Sequence, residues 1–140
     1  MKPIKEIYTH CEDTEGYFIA EGDYLPLLES MGQILVKVDD HDYSGDSRVL
    51  YKDGDKYGIL IFGWGSCSGC DALQGCDSFE EIEQLRTKLF NDIRWFAKEE
   101  VLNRLEDLEY WKTQSIYWCD DEKMESFLQQ SIEAVKNENH

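Results

Sequence analysis

Positive charge is scarce in this chain. Lys and Arg number 14 against 30 Asp and Glu in 140 residues, a formal net charge of −16. Direct binding to nucleic acid or to an anionic membrane needs a basic face, and this composition does not supply one. Long apolar runs are missing too. None approaches the ~20 residues of a membrane span, and residues 1–8 hold two lysines without an apolar core, so they do not read as a secretory signal. Glycine and proline are absent from the second half. All ten glycines lie between Gly16 and Gly75, and the two prolines are Pro3 and Pro26. Their absence over 76–140 permits long helices, and their presence earlier marks turns and bulges.

What is present is enough for a core. Hydrophobic residues make up 41% and aromatics 13% of the chain, which excludes a disordered tail and suits a single domain of this length. The expected organisation is one α+β domain over 1–140, strand-rich over 1–76 and helical over 77–140. Three β-branched or aromatic runs, 33–38, 46–52 and 56–64, predict strands. Asp53-Gly54-Asp55 closes a hairpin between the last two, so the three form an antiparallel meander. The third run is the most apolar and is expected to be the central or most buried strand. Residues 24–30 predict a short helix with Asp23 as its cap and Pro26 in its first turn.

The helical half begins at Ser78-Phe79-Glu80-Glu81, a capping-box sequence. Ile82, Leu85, Leu89, Ile93 and Phe96 follow at spacings of three and four and make one apolar stripe. The stripe predicts a helix from Phe79 to about Tyr110, with a break near Lys98 as the alternative. A second helix is expected after Asp120 or Asp121, with Met124, Leu128, Ile132 and Val135 as its stripe. The stretch 112–118 reads as a loop or a short strand. Both long helices are expected to pack on the sheet.

Chemistry is concentrated in one segment. The third strand runs into Gly63-Trp64-Gly65-Ser66-Cys67-Ser68-Gly69-Cys70-Asp71, with Cys76 beyond, a Cys-x2-Cys-x5-Cys spacing. Five cysteines with no export signal point to a reducing, cytoplasmic compartment, where metal ligation, redox chemistry or plain buried thiols are the readings. Two cysteines three apart on a tight turn present both sulfurs to one ion, and Gly69 between them frees the backbone. Cys67, Cys70 and Cys76 are therefore candidate ligands of a structural zinc, with Cys119 as the fourth and Cys11, His10 or His41 as its alternatives. Three reduced thiols at a strand-to-helix corner would use the same residues. A catalytic zinc would need an open position and a neighbouring acid. Asp71 is that acid, or it caps the turn Ala72-Leu73-Gln74.

Other patterns carry less. Gly63-x-Gly65-x3-Gly69 is not a dinucleotide fingerprint, and no Lys–Ser pair follows to make a phosphate loop. His10 and Cys11 are adjacent, and neighbouring side chains on extended chain point apart, unlike a nucleophile and its base. Trp64, Trp95, Trp111 and Trp118 have too few basic neighbours for a base-stacking platform.

The strand and Gly-Ser-Cys-Ser-Gly-Cys-Asp of residues 57–71, with residues 78–96, resemble segments of small acidic phage and prophage proteins of no established activity. The resemblance covers about a third of the chain. The Cys-x-Gly-Cys piece is also similar, over about five residues, to the first cluster-binding segment in small subunits of nickel–iron hydrogenases, whose later cysteines are absent here.

The charge and the cysteine segment together give the expected function. It is a small acidic binding protein that blocks a basic, nucleic-acid-binding protein of a host cell, as an anti-defence or DNA-mimic-like inhibitor, with a structural metal-binding loop. The alternatives are a metal- or thiol-dependent enzyme using Cys67, Cys70 and Cys76, and an accessory domain without separate activity. Asp92, Glu99 and Glu106 stand seven apart. On one continuous helix they would lie nearly in line and form the partner-binding ladder.

Overall fold

Val, Ile and Tyr dominate the stretches that become strands, and the connections between them are short. In the computed structural model, which describes residues 1–8, 23–40, 45–65, 71–76, 78–114 and 121–137, they form β1 (Gln33–Asp39), β2 (Gly45–Asp53) and β3 (Lys56–Trp64). The three predicted strands are therefore present within a residue or so of their expected ends. Gly54, at φ +63°, turns β2 into β3 in a conformation that L side chains rarely adopt. A fourth strand, β4 (Arg94–Ala97), extends the sheet, giving the antiparallel order β1-β2-β3-β4.

The helices are α1 (Ile4–Ile7), α2 (Leu25–Glu29), α3 (Phe79–Asp92), α4 (Lys98–Leu105), α5 (Leu108–Lys112) and α6 (Asp121–Asn137). Ser78 caps α3 as its sequence foretells, its Oγ accepting the Glu81 amide at 3.2 Å. The expected continuous helix from Phe79 to about Tyr110 is corrected. It ends at Asp92, and the chain then runs as a strand before α4 begins. Trp95 pairs directly with Gly58 on β3, and a Cβ at Gly58 would come within 2.9 Å of the Trp95 ring and 2.5 Å of Ile93. A Trp-Phe run facing the bare backbone of an unpaired β3 edge gains ladder hydrogen bonds and a close ring contact. That tertiary gain overrides the helical spacing of Ile93 and Phe96.

The chain divides into two compact units, one of residues 1–32 and 64–92 and one of 33–63 and 93–140. In the second unit α6 packs on β1 and β2, while α4 and α5 pack on α6. Val36, Val38, Leu50, Tyr57 and Ile59 from the sheet meet Val101, Leu105, Trp111, Phe127 and Val135 from the helices in one apolar cluster. β1 stands at the end of the strand order, and its register shifts between Ile34 and Val36, a bulge that with Lys37 discourages pairing with another chain. In the first unit, Ile4, Tyr8, Leu27, Leu28, Leu73, Ile82 and Leu89 are buried. Buried Arg86 on α3 donates to the Lys2 carbonyl (2.6 Å) and to Ser30 Oγ (3.2 Å), tying α3 to the start of the chain and to the end of α2. Among the described residues no helix is long and apolar enough to cross a membrane.

Candidate functional site

The residues flanking the cysteine segment form a closed hydrogen-bond frame. Asp71, 3% exposed, is its centre. Its Oδ1 accepts the Gly65 amide at 2.9 Å and the Tyr24 hydroxyl at 3.0 Å, and its Oδ2 accepts the Gln74 amide at 2.9 Å. The Gln74 side-chain amide returns to the Gly65 carbonyl at 3.1 Å, and the Leu73 amide donates to the Tyr24 hydroxyl at 3.2 Å. Gly65 and Asp71, which bracket Cys67 and Cys70 in sequence, are thus held together. Burial pushes the Tyr24 hydroxyl far above the usual tyrosine range, and the Asp71 carboxylate adds to the shift. Tyr24 therefore stays a neutral donor.

Asp71 accepts three hydrogen bonds on its two oxygens, and the one from the Gln74 amide caps the turn that follows. This is the second of the two roles its position allowed. Cys76 closes the same turn. It is buried, its amide bonds the Leu73 carbonyl at 3.1 Å, and its thiol donates to the Ala72 carbonyl at 3.2 Å. As a metal ligand it would have to give up that proton and that carbonyl. Cys67, Cys70 and Cys119 lie outside the described residues, as do Cys11, His10 and His41. Among the described residues no group of three His, Cys, Asp or Glu is placed to hold a metal ion.

The acidic candidates are distributed over two helices. Asp92 is the last residue of α3 and pairs with Lys88 at 3.0 Å. Glu99 lies in the first turn of α4 and Glu106 is its C-cap. The single helix that would have aligned all three does not exist, but Glu99 and Glu106 remain aligned, about 10 Å apart along α4. Both are exposed, and neither forms an ion pair among the described residues. A surface cleft of about 450 Å³ lined by Lys2, Glu6, Ile7, Pro26, Glu29 and Ser30 mixes both signs of charge.

Sequence reasoning missed two features. Tyr24 joins Asp71 from 47 positions away, and nothing local marks it. Arg94 and Arg104 converge on Tyr110, a placement that follows only once the chain breaks at Ile93. No protein-family model, curated protein or solved structure matches this chain.

Proposed function

We propose that the protein is a small acidic binding protein that blocks a basic, nucleic-acid-binding protein partner in the cytoplasm of a host cell. The observation that carries this reading is the pair Glu99 and Glu106, exposed on one helix with no cation of the described residues against either. Unpaired carboxylates retain their field for an approaching basic surface, whereas paired ones such as Asp92 are partly neutralised. Zinc held by Cys67, Cys70, Cys76 and Cys119 would join the end of β3 to the turn before α3 and act structurally. The three hydrogen bonds that Asp71 accepts from its own frame support a structural over a catalytic role for that residue.

The test is affinity capture from host lysate with the purified protein as bait, followed by binding measurements on each captured nucleic-acid-binding protein. The expected partner is released by salt and competed away by duplex DNA, and it binds Glu99→Lys/Glu106→Lys protein at least about tenfold more weakly. A partner indifferent to DNA, salt and this double substitution would remove the charge-based reading.

A further inference from the structure

We propose that Arg94, Arg104 and Tyr110 form a docking site for a carboxylate on an apolar segment of a partner polypeptide. The site is separate from the acidic pair on α4. The four arginines of the chain fall into two kinds. Arg48 and Arg86 are buried and end on protein oxygens, Asp40 for the first, the Lys2 carbonyl and Ser30 for the second. Arg94 and Arg104 are exposed and lie over aromatic rings, and Arg94 also donates to the Tyr110 hydroxyl and to Gln114. The Arg94 guanidinium carbon stands 5.7 Å from the Tyr110 ring centroid and 6.0 Å from that of Trp111. That of Arg104 stands 5.9 Å from both Phe96 and Tyr110.

In so acidic a chain the absence of an ion pair at these two groups among the described residues is informative. Glu100 lies one helical turn before Arg104, the spacing at which ion pairs form on helices. Arg104 nevertheless makes no ion pair or side-chain hydrogen bond among the described residues and lies over Phe96 and Tyr110 instead. The exposed Arg104 guanidinium spends none of its N–H groups on a described acceptor, and its planar fork matches the two oxygens of a carboxylate. Arg94 is held beside it, donating from Nη1 to the Tyr110 hydroxyl and from Nη2 to Gln114 Oε1 at 2.6 Å.

The surroundings are preorganised. Trp111 is buried and its indole N–H donates to the Arg104 carbonyl at 2.6 Å, while Asp107 caps α5 through the Tyr110 amide at 3.2 Å. A fixed surface loses little side-chain freedom on binding, and Arg, Tyr and Trp are the residue types that anchor interfaces. Half-buried Phe96 and Tyr110 supply apolar contact beside the charge. Glu100, Asp107 and Glu109 lie within five positions of Arg104 in sequence, and repulsion from them grows with ligand charge within the ~8–10 Å screening distance. A single carboxylate is therefore preferred to a polyphosphate. At 100° per residue Arg104 lies about 140–160° around α4 from Glu99 and Glu106, so the two surfaces are distinct.

The experiment titrates the whole protein with a blocked Leu-Phe-Glu-Leu peptide, its Gln counterpart, inorganic phosphate and a thymidine oligonucleotide, following amide shifts by NMR. Shifts at Phe96, Arg104 and Tyr110 are expected with the Glu peptide, with about tenfold weaker binding for the Gln peptide and for Arg104→Ala. Glu99→Lys should leave this binding within about twofold, which separates the proposal from the acidic-face reading. Should Arg104→Ala not fold, Arg104→Lys, which keeps the charge and loses the planar fork, must weaken binding several-fold. Tighter binding of phosphate or the oligonucleotide than of the Glu peptide, or equal binding by the arginine variants, would overturn the proposal.

Discussion

Arg48 Nη1 lies 3.0 Å from Asp40 Oδ1, and both side chains are buried, at 0% and 5% exposure. Asp40 also accepts the Asp46 amide at 2.8 Å, so the carboxylate holds the closed end of the β1–β2 hairpin. Gly45 is required there, because a Cβ would come within 2.6 Å of Asp40. Arg48 is less well provided: its Nε and Nη2 have no hydrogen-bond partner among the described residues.

The asymmetry sets an order of mutational cost. Asp40→Ala leaves the guanidinium buried with no acceptor and should cost about 3–5 kcal/mol. Arg48→Met leaves Asp40 its amide donor and removes two unsatisfied N–H groups, so it should cost clearly less. Urea denaturation with an unchanged m-value reads both; equal losses would show that the pair acts only as a unit.

Asp71→Ala removes the acceptor of the Gly65 amide, the Tyr24 hydroxyl and the Gln74 amide together. Orphaning buried donors costs about 1–3 kcal/mol each. A loss of about 3 kcal/mol or more is expected in chemical denaturation. Asp71→Asn should fall in between, since one of its two positions becomes a donor facing a donor. An Asp71→Ala protein as stable as the parent would mean that the frame is incidental.

Alkaline pH should unfold the protein through its tyrosines. Burial raises the hydroxyls of both Tyr24 and Tyr51 well above their ordinary value of 10.0, with Asp71 contributing at Tyr24. The folded state therefore keeps these protons after the unfolded state has begun to release them. Their stabilising effect is complete below pH ~10 and is lost as pH rises beyond it. Urea midpoints should fall steeply between about pH 9.5 and 11, and Tyr51→Phe should make the fall shallower. A Tyr51→Phe profile parallel to the parent's would place the alkaline transition elsewhere.

Most of the sheet was legible because its signals are local. The runs that become β1, β2 and β3 are rich in β-branched and aromatic residues, and Asp53-Gly54-Asp55 between two of them is a strong hairpin signal. The Ser78 cap and the Met124–Leu128–Val135 stripe are equally self-contained, and both appear as expected. What local pattern could not reveal is partnership. Ile93 and Phe96 continue the α3 spacing, but the residues that decide their conformation are Tyr57 and Gly58, 35 or more positions earlier. The turn-cap role of Asp71 follows from its position before Ala72-Leu73-Gln74, whereas its bond to Tyr24 depends on how α2 is placed. The acidic ladder fails at Asp92 for the same reason that the helix fails at Ile93.

Zinc should copurify with the protein if Cys67, Cys70, Cys76 and Cys119 bind it. Elemental analysis is then expected to find about one zinc per chain, with Cys70→Ser reducing it and lowering the melting temperature by about 5 °C or more. The thiol bond from Cys76 to the Ala72 carbonyl gives a second readout. Cys76→Ser can keep that hydrogen bond through its hydroxyl yet is a poor zinc ligand. A buried-thiol role predicts that this variant melts near the parent, whereas ligation predicts loss of zinc and of stability together. Metal-free protein melting at the parent's temperature would exclude a structural zinc.

Glu99 and Glu106 should matter to association more than Asp92 does. All three are exposed acids, but Lys88 already sits 3.0 Å from Asp92, and no described cation pairs with the other two. Replacing Asp92 by Asn removes a charge that is partly cancelled and also weakens the end of α3 by no more than about 0.5 kcal/mol. Replacing Glu99 and Glu106 by Gln removes two charges whose field reaches the solvent about 10 Å apart along α4. For a basic partner the second change should slow association severalfold at low salt and leave dissociation nearly unaltered, because rim charges act on encounter. The difference between parent and Glu99→Gln/Glu106→Gln should shrink as salt rises toward physiological strength, where screening falls to ~8 Å. Stopped-flow or surface-binding kinetics at two ionic strengths separate the terms. An effect confined to dissociation would instead place these carboxylates in the desolvated centre of the interface, and an equal effect of Asp92→Asn would show that only total charge counts.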